Sequence, residues 1–202
     1  MNCKFDKIAE YYNPLIKIFA NPKKHYKKIR DVFELNKNLL VLDLGGGTGL
    51  IADYISKDVK KVIILDPSER MLKKVKNNKI QKARGIAQKI PFKNKTFDFV
   101  YCVDSFHHFT NGYKKQEYSQ AINICIEEIL RVLKRDGVLL IIEFDNTKFF
   151  GKLLEIFENY IIYFGSKFYS KNELKLLFEE YDVKVETFDI NNFSYLARIT
   201  KK

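Results

Sequence analysis

The residues best suited to chemistry stand in one run, Val41-Leu42-Asp43-Leu44-Gly45-Gly46-Gly47-Thr48-Gly49. Asp43, Gly45, Gly47 and Gly49 fit the spacing D-x-G-x-G-x-G. Glycines let a backbone turn tightly and let a ligand lie against it. The helix expected next offers free N–H groups at its start. A nucleotide-bearing ligand suits such a loop. A dinucleotide site spaced G-x-G-x-x-G needs a third glycine where Leu50 stands, which argues against NAD. A P-loop is excluded because no Gly-Lys-Ser/Thr follows. Asp66 closes the next apolar run, about where a ribose-binding acid belongs in a doubly wound sheet. A carboxylate there can accept from both ribose hydroxyls. The other reading of Asp66 is a cap for the helix that opens at Pro67-Ser68.

Short apolar runs alternating with longer amphipathic stretches predict a parallel sheet covered by helices. Strands are expected at residues 39–44, 61–65, 80–84, 96–103 and 138–144. Between them, residues 50–56 start a helix, and Met71, Leu72 and Val75 mark one face of another. Residues 116–134 form a long helix with Tyr118, Ile122, Cys125, Ile126, Ile129 and Leu133 at helical spacing, stopped by Arg135-Asp136-Gly137. Residues 5–33 read as two helices broken at Asn21-Pro22. Residues 148–164 read as a helix whose narrow polar stripe is Lys148, Lys152, Glu155 and Asn159. Ser170-Lys171-Asn172-Glu173 is a capping box opening a helix to residue 180. Residues 183–188 and 193–199 predict a closing antiparallel hairpin across Asn191-Asn192. The expected fold is α/β over residues 1–202: a Rossmann-like, doubly wound, mostly parallel seven-stranded sheet with an antiparallel C-terminal hairpin. A helical cap (residues 1–36) precedes it, and a helical insertion (residues 148–180) stands before the last hairpin as a lid.

The chain has 202 residues, 46% hydrophobic and 30% charged, enough apolar material for one core. The longest uncharged strand-like run, Val138-Leu139-Leu140-Ile141-Ile142, is far short of the ~20 residues of a membrane span. No apolar stretch follows the charges at the start, so no secretory signal is expected. Cys3, Cys102 and Cys125 include no C-x-x-C pair, so reduced thiols in a cytoplasmic protein are expected, with no disulfide scaffold and no metal site. The net charge of +11 suits an anionic partner such as nucleic acid or a lipid surface. It is nearly all lysine and spread along the chain, which suits a solvated surface equally well.

Taken together, the segments resemble the class I S-adenosylmethionine-dependent methyltransferases over most of the chain. The glycine loop resembles that family's first motif, and Ile63-Ile64-Leu65-Asp66 its acidic second motif. Gly85-Ile86-Ala87-Gln88-Lys89-Ile90-Pro91-Phe92 resembles its "GDAExLPF" segment, and the run from Glu128 to Gly137 its "E-x-x-RVLKPGG". The subgroup it resembles is the ubiquinone/menaquinone biosynthesis C-methyltransferases. That match rests on Phe5-Asp6-Lys7-Ile8-Ala9-Glu10-Tyr11-Tyr12-Asn13, the Leu42–Gly49 run and Ile142-Glu143-Phe144. The resemblance implies S-adenosylmethionine as donor and S-adenosylhomocysteine as product. It implies donor contacts from Asp43, Gly45, Gly46, Gly47, Thr48, Gly49, Asp66, Pro67, Met71, Ala87, Gln88 and Val103. Two positions depart from the family. Ile86 replaces the acid that meets the adenine amino group, which leaves that task to Gln88 or to backbone. His107-His108 stands where the quinone enzymes carry Arg-Asn.

Methyl transfer from a sulfonium is an in-line displacement, so alignment is the main requirement. A hydroxylated acceptor is helped by a base. His107 and His108 follow the fourth strand, where ligands gather in a parallel sheet, and one of the two is expected to reach the acceptor. Both could instead pack on Phe106 and Phe109. Asp104 could hold the donor's amino group, orient a histidine, or cap its loop. Tyr11, Tyr12, Phe149, Phe150, Phe157, Tyr160 and Tyr163 suit a flat or prenylated, membrane-associated acceptor, or a core or dimer contact. The expected acceptor is a small molecule of the quinol or phenol type. A tRNA methyltransferase is the alternative, since wobble-uridine enzymes of the superfamily share His-His. Against a base-amino enzyme, Val103-Asp104-Ser105-Phe106 lacks the Asn/Asp-Pro-Pro-aromatic pattern. A non-catalytic donor-binding protein is the third reading.

Overall fold

In the computed structural model the described residues are Asp6, 21–161 and 165–202. Residues 7–20, with Tyr11 and Tyr12, lie outside them, as do Cys3 and Tyr163. Seven strands form one sheet in the order β3-β2-β1-β4-β5-β7-β6. They are β1 (Leu40–Leu44), β2 (Lys61–Asp66), β3 (Ile80–Arg84), β4 (Phe97–Val103), β5 (Leu133–Phe144), β6 (Val183–Asp189) and β7 (Ser194–Lys201). β1 to β5 pair in parallel, and β7 runs antiparallel to both β5 and β6. The doubly wound sheet and its C-terminal hairpin are therefore as expected. Strand order reverses between β1 and β4, the place where such sheets open a ligand crevice beyond their carboxyl ends.

The sheet is covered on both faces because its central strands alternate two apolar sets. In β4, Val100 and Cys102 point toward α4 (Tyr118–Val132), where Ile122, Cys125, Ile126 and Ile129 meet them. Phe99 and Tyr101 point the other way, into a cluster with Ile29 of α1 (Pro22–Val32) and Ala52 and Ile55 of α2 (Ala52–Ile55). Asn21 caps α1 through its side chain, with Pro22 at the first position, where proline is tolerated; the first of the two helices expected over residues 5–33 lies outside the described residues. α3 (Glu69–Lys73) is capped by Ser68, whose hydroxyl accepts from Met71 N at 3.1 Å. α6 (Lys171–Phe178) carries the expected capping box of Ser170 and Glu173.

Two boundaries differ from expectation. α4 ends at Val132, and β5 already begins at Leu133. Phe97 pairs with Leu133 and Phe99 with Val138, so the intervening residues bulge out and Arg135-Asp136-Gly137 interrupts a strand instead of a helix. The helix expected over residues 148–164 is α5 (Phe149–Ile156), which widens into a π turn at Phe157–Ile161.

Arg131 on α4 staples the loop that follows β3. Its guanidinium donates to the Ile90 and Phe92 carbonyls at 3.0 and 2.8 Å, to Asn94 at 2.8 Å, and to both oxygens of Glu128. Glu128 in turn accepts from Ile90 N at 2.8 Å. Hydrogen bonds to charged groups contribute about 1.5–3 kcal/mol each when desolvated, and this side chain is half-buried. Arg131→Met is therefore expected to lower the unfolding free energy by about 2–3 kcal/mol. Urea denaturation checks this, and a loss under 0.5 kcal/mol would contradict the staple.

Candidate active site

The glycine loop leaves β1 and crosses beneath the end of β4. Gly45, Gly47 and Gly49 take φ of +77°, +53° and +78°, a region that favours glycine. A Cβ on Gly45 would lie 2.7 Å from Ser105 Cβ, and one on Gly46 only 2.4 Å from Asp43 Cγ. The loop is held by Gly45 N donating to Leu65 O at 2.8 Å and by Ser105 Oγ donating to Leu44 O at 2.9 Å. Asp66 accepts from Gly47 N at 2.9 Å on one oxygen and from Ser68 N at 2.8 Å on the other. Its carboxylate thus ties β2 to the loop, and the helix cap itself is Ser68. Ser68 also donates to Asp6, at 2.6 Å, which brings that residue of the N-terminal segment to the rim of the site.

A cavity of about 600 Å³ opens here. Leu44, Gly45 and Gly47 form one wall; Asp66, Pro67 and Met71 a second; Gly85, Ile86, Ala87 and Gln88 a third. His108, Phe109 and Tyr113 close the remaining side. Gln88 donates to the Phe109 carbonyl and so joins two of these walls. A smaller cleft lies between α1 and the loop, lined by His25, Asp43, Gly46, Thr48 and Val103. Gly45 and Asp104 line both spaces. Gly49 lines neither, and its Cα packs against Ile64 and Val75 instead.

Burial sets the charges. It raises Asp43 to about 7, helped by the nearby Asp66, and raises Asp66 to about 6 against the two N–H donors. Burial also raises Asp104 to about 8, with Glu143 adding to it, and lowers His25 to about 4. Ribose hydroxyls need the ionised form of Asp66 as acceptor. Its folded value lies above the ordinary one, so the proton is held down to lower acidity and ionisation is complete only above about pH 7. Affinity for S-adenosylhomocysteine is therefore expected to rise several-fold from pH 5.5 to pH 8. Calorimetry across that range checks it, and Asp66→Asn should flatten the rise.

The histidine pair is split by its turn, Phe106–His108. His108 lines the cavity; His107 does not, and lies buried beneath it. His107 Nδ1 stands 2.7 Å from Glu143 Oε2, its N–H donates to Glu143 Oε1 at 3.2 Å, and its ring stacks on Phe168 at 4.2 Å. Its Nε2 faces Glu158 Oε2 at 3.6 Å. Burial opposes charge on His107, but the two carboxylates outweigh it and raise the imidazole above its ordinary value. Burial and the neighbouring His107 charge push His108 well below its own. Glu158 is held down to about 2, because His107 and His108 outweigh its burial. The carboxylate that orients a histidine is therefore Glu143, not Asp104. Asp104 faces His25 at 3.9 Å and leaves Oδ1 buried without a hydrogen-bond partner.

Glu143, Glu158, Ser166 and His25 are the site residues that sequence reasoning missed. A lone carboxylate inside the apolar run of β5 was the available signal for Glu143. Of the aromatic residues suited to the acceptor side, the four described ones do not line the cavity: Phe149 is 85% and Tyr160 69% exposed, and Phe150 and Phe157 also lie away from it. The reason is Gly151, where any Cβ would fall 2.1 Å from the Asp145 carbonyl oxygen. That seat turns the aromatic stripe of α5 outward.

Comparison with known proteins agrees with this geometry. Residues 42–141 match the model of the methyltransferase domain. YcgJ, a methyltransferase of Bacillus subtilis, is 30% identical over 148 residues, 69% of this chain and 53% of that protein. The ubiquinone/menaquinone biosynthesis C-methyltransferase UbiE of Wigglesworthia glossinidia brevipalpis is 31% identical over 174 residues, 72% of this chain and 66% of that protein. The chain spans about half to two thirds of the length of the curated relatives it matches. A solved S-adenosylmethionine-dependent methyltransferase from Thermotoga maritima shares the fold with a TM-score of 0.77 at 21% identity, covering 98% of both chains. Residues 42–141 are a methyltransferase domain, and the chain as a whole resembles the class I S-adenosylmethionine-dependent methyltransferases. Within that class it resembles the ubiquinone/menaquinone C-methyltransferases. The family's donor, S-adenosylmethionine, fits the residues present: a loop where side chains would clash, beside a buried carboxylate with further lone pairs.

Proposed function

We propose that this protein methylates a small molecule bearing a quinol- or phenol-type ring. The reading is carried by the cavity of about 600 Å³, which is within the range of small-ligand sites and has a histidine on its wall. S-adenosylmethionine, when bound, supplies an electrophilic methyl group on a positive sulfur. Asp66 takes the ribose hydroxyls, and Gln88 with the backbone at Ile86 and Ala87 takes the adenine. Asp104, with its buried oxygen lacking a partner, receives the ammonium. Holding acceptor and donor in line contributes roughly 7–11 kcal/mol. His108, held neutral, accepts the acceptor's hydroxyl proton, a contribution of roughly 10²–10⁴-fold. The apolar stripe of α5 (Phe149, Leu153, Phe157 and Tyr160) suits a prenyl tail at a lipid surface or a contact in a dimer. Among the described residues no helix is long and apolar enough to cross a membrane, and Cys102 and Cys125 are free and buried, which supports a cytoplasmic setting.

Labelled methyl transfer to a panel of quinols and phenols, with bulk tRNA in parallel, tests this. Label on a ring acceptor, lost in His108→Asn, is expected. Label on tRNA alone would replace this reading with the nucleic-acid one. Donor binding without transfer to either would favour the non-catalytic one.

A further inference from the structure

Beside the donor cavity, three side chains from two distant segments converge. His107 and His108 come from the turn after β4, and Glu158 from the π turn. One ligand atom from each lies within 4.8 Å of the others. His107 Nε2 and Glu158 Oε2 are 3.6 Å apart, and His108 Nδ1 and Glu158 Oε2 are 3.8 Å apart. These separations are too long for hydrogen bonds. Ligand atoms on a tetrahedral zinc ion stand about 3.3–3.5 Å apart, from bond lengths of about 2.0–2.2 Å. A contraction of a few tenths of an ångström would therefore complete the coordination.

Two further observations point to a ligand. His107 Nε2 and Glu158 Oε2 are both buried without a hydrogen-bond partner, though each faces the other. Buried polar atoms of this kind are otherwise nearly always satisfied. The surroundings are also built to hold the three side chains still. His107 Nδ1 is engaged by Glu143 Oε2 at 2.7 Å, the carboxylate–histidine arrangement that fixes the tautomer of metal-binding histidines. Ser166 Oγ lies 2.9 Å from His108 Nδ1, a bond that a cation at that nitrogen would replace. Asn159 clamps the Ser166 backbone at both ends, at 2.7 and 2.8 Å, and Lys167 N donates to His107 O at 2.9 Å. The π turn aims Glu158 inward while its neighbours Phe157 and Tyr160 stay outside. Such turns are often found at functional sites.

We infer that His107 Nε2, His108 Nδ1 and Glu158 bind a divalent transition cation of the zinc class, with Glu143 as the positioning residue. Two imidazoles and one carboxylate are the ligand count that leaves a fourth position open to water or an acceptor oxygen. Loaded with the cation, His108 is a ligand, and the acidity of an acceptor hydroxyl is set by the cation instead. The inference concerns binding of a metal alone, so its failure leaves the methyltransferase reading untouched.

The test uses the full, untagged chain stripped with a chelator and titrated with Co²⁺, then with Zn²⁺ in competition. One equivalent of Co²⁺ with a visible d–d absorption band is expected, displaced by Zn²⁺. Glu158→Gln should weaken Co²⁺ by about tenfold or more, and Glu143→Gln by roughly 10–100-fold. Circular dichroism of the metal-free variants checks that both fold. The wild-type titration stands whether or not a variant folds: no band at tenfold excess of Co²⁺ overturns the site. So does binding by folded Glu158→Gln that matches wild type. His107 would then be an imidazolium bridging Glu143 and Glu158.

Discussion

Asp66→Ala is expected to weaken S-adenosylhomocysteine binding by about a hundredfold or more, with little change in melting temperature. The carboxylate holds Gly47 N and Ser68 N and, in the proposed donor site, would also offer lone pairs to the ribose hydroxyls. Hydrogen bonds to charged groups contribute about 1.5–3 kcal/mol each. Losing two toward the ligand costs about 3–6 kcal/mol of affinity, and each 1.4 kcal/mol is tenfold. The unliganded fold loses less. Burial already disfavours this carboxylate, raising it to about 6, so its removal relieves one cost while orphaning two N–H groups. Calorimetry and thermal melting measured on the same sample check both halves. Binding within threefold of wild type would mean that the ribose is held elsewhere.

Gly46→Ala should be as damaging for a different reason. Gly46 is not among the positive-φ residues, so alanine meets no backbone objection there. The objection is Asp43, whose Cγ and Oδ2 would each lie 2.4 Å from the new Cβ. Asp43 is buried and has no room to swing away. Overpacking of this kind costs about 1–3 kcal/mol, and the displaced loop should also cost most of the donor affinity. A double-mutant cycle isolates the cause. In an Asp43→Ala background the clash is gone, so Gly46→Ala should cost at least 1 kcal/mol less there than in wild type, about the coupling expected of touching residues. Equal costs in urea denaturation would place the strain elsewhere.

What was legible in the sequence was local. The glycine loop, the acid at the end of β2, the Ser170 capping box and the proline after Asn21 each state their conformation within a few residues. Strand periodicity gave the sheet, but not the start of β5, because Gly137 reads as a helix stop whether or not the chain is already extended at Leu133. The site's second half depends on register. Glu143 reaches His107 because β4 and β5 pair Val103 with Ile142, across 36 residues of sequence. Glu158 comes 50 residues after His108 and is turned inward by a π turn that no propensity announces. The α5 aromatics suit a pocket, a core or a dimer contact alike, because helical spacing shows a stripe without showing which way it faces.

The backbone at Asp104 has a consequence for how this protein can change. Asp104 takes φ of +50°, one of only two non-glycine residues to do so among those described. Such a conformation costs of order 1–3 kcal/mol and persists only where the surroundings enforce it. Glycine would remove that cost, and with it the carboxylate shared by the cleft and the cavity. If that carboxylate receives the donor's ammonium as proposed, selection for heat resistance alone would favour a sequence that holds its shape better and its donor worse. Directed evolution for stability in this scaffold should therefore keep a functional screen at that one codon.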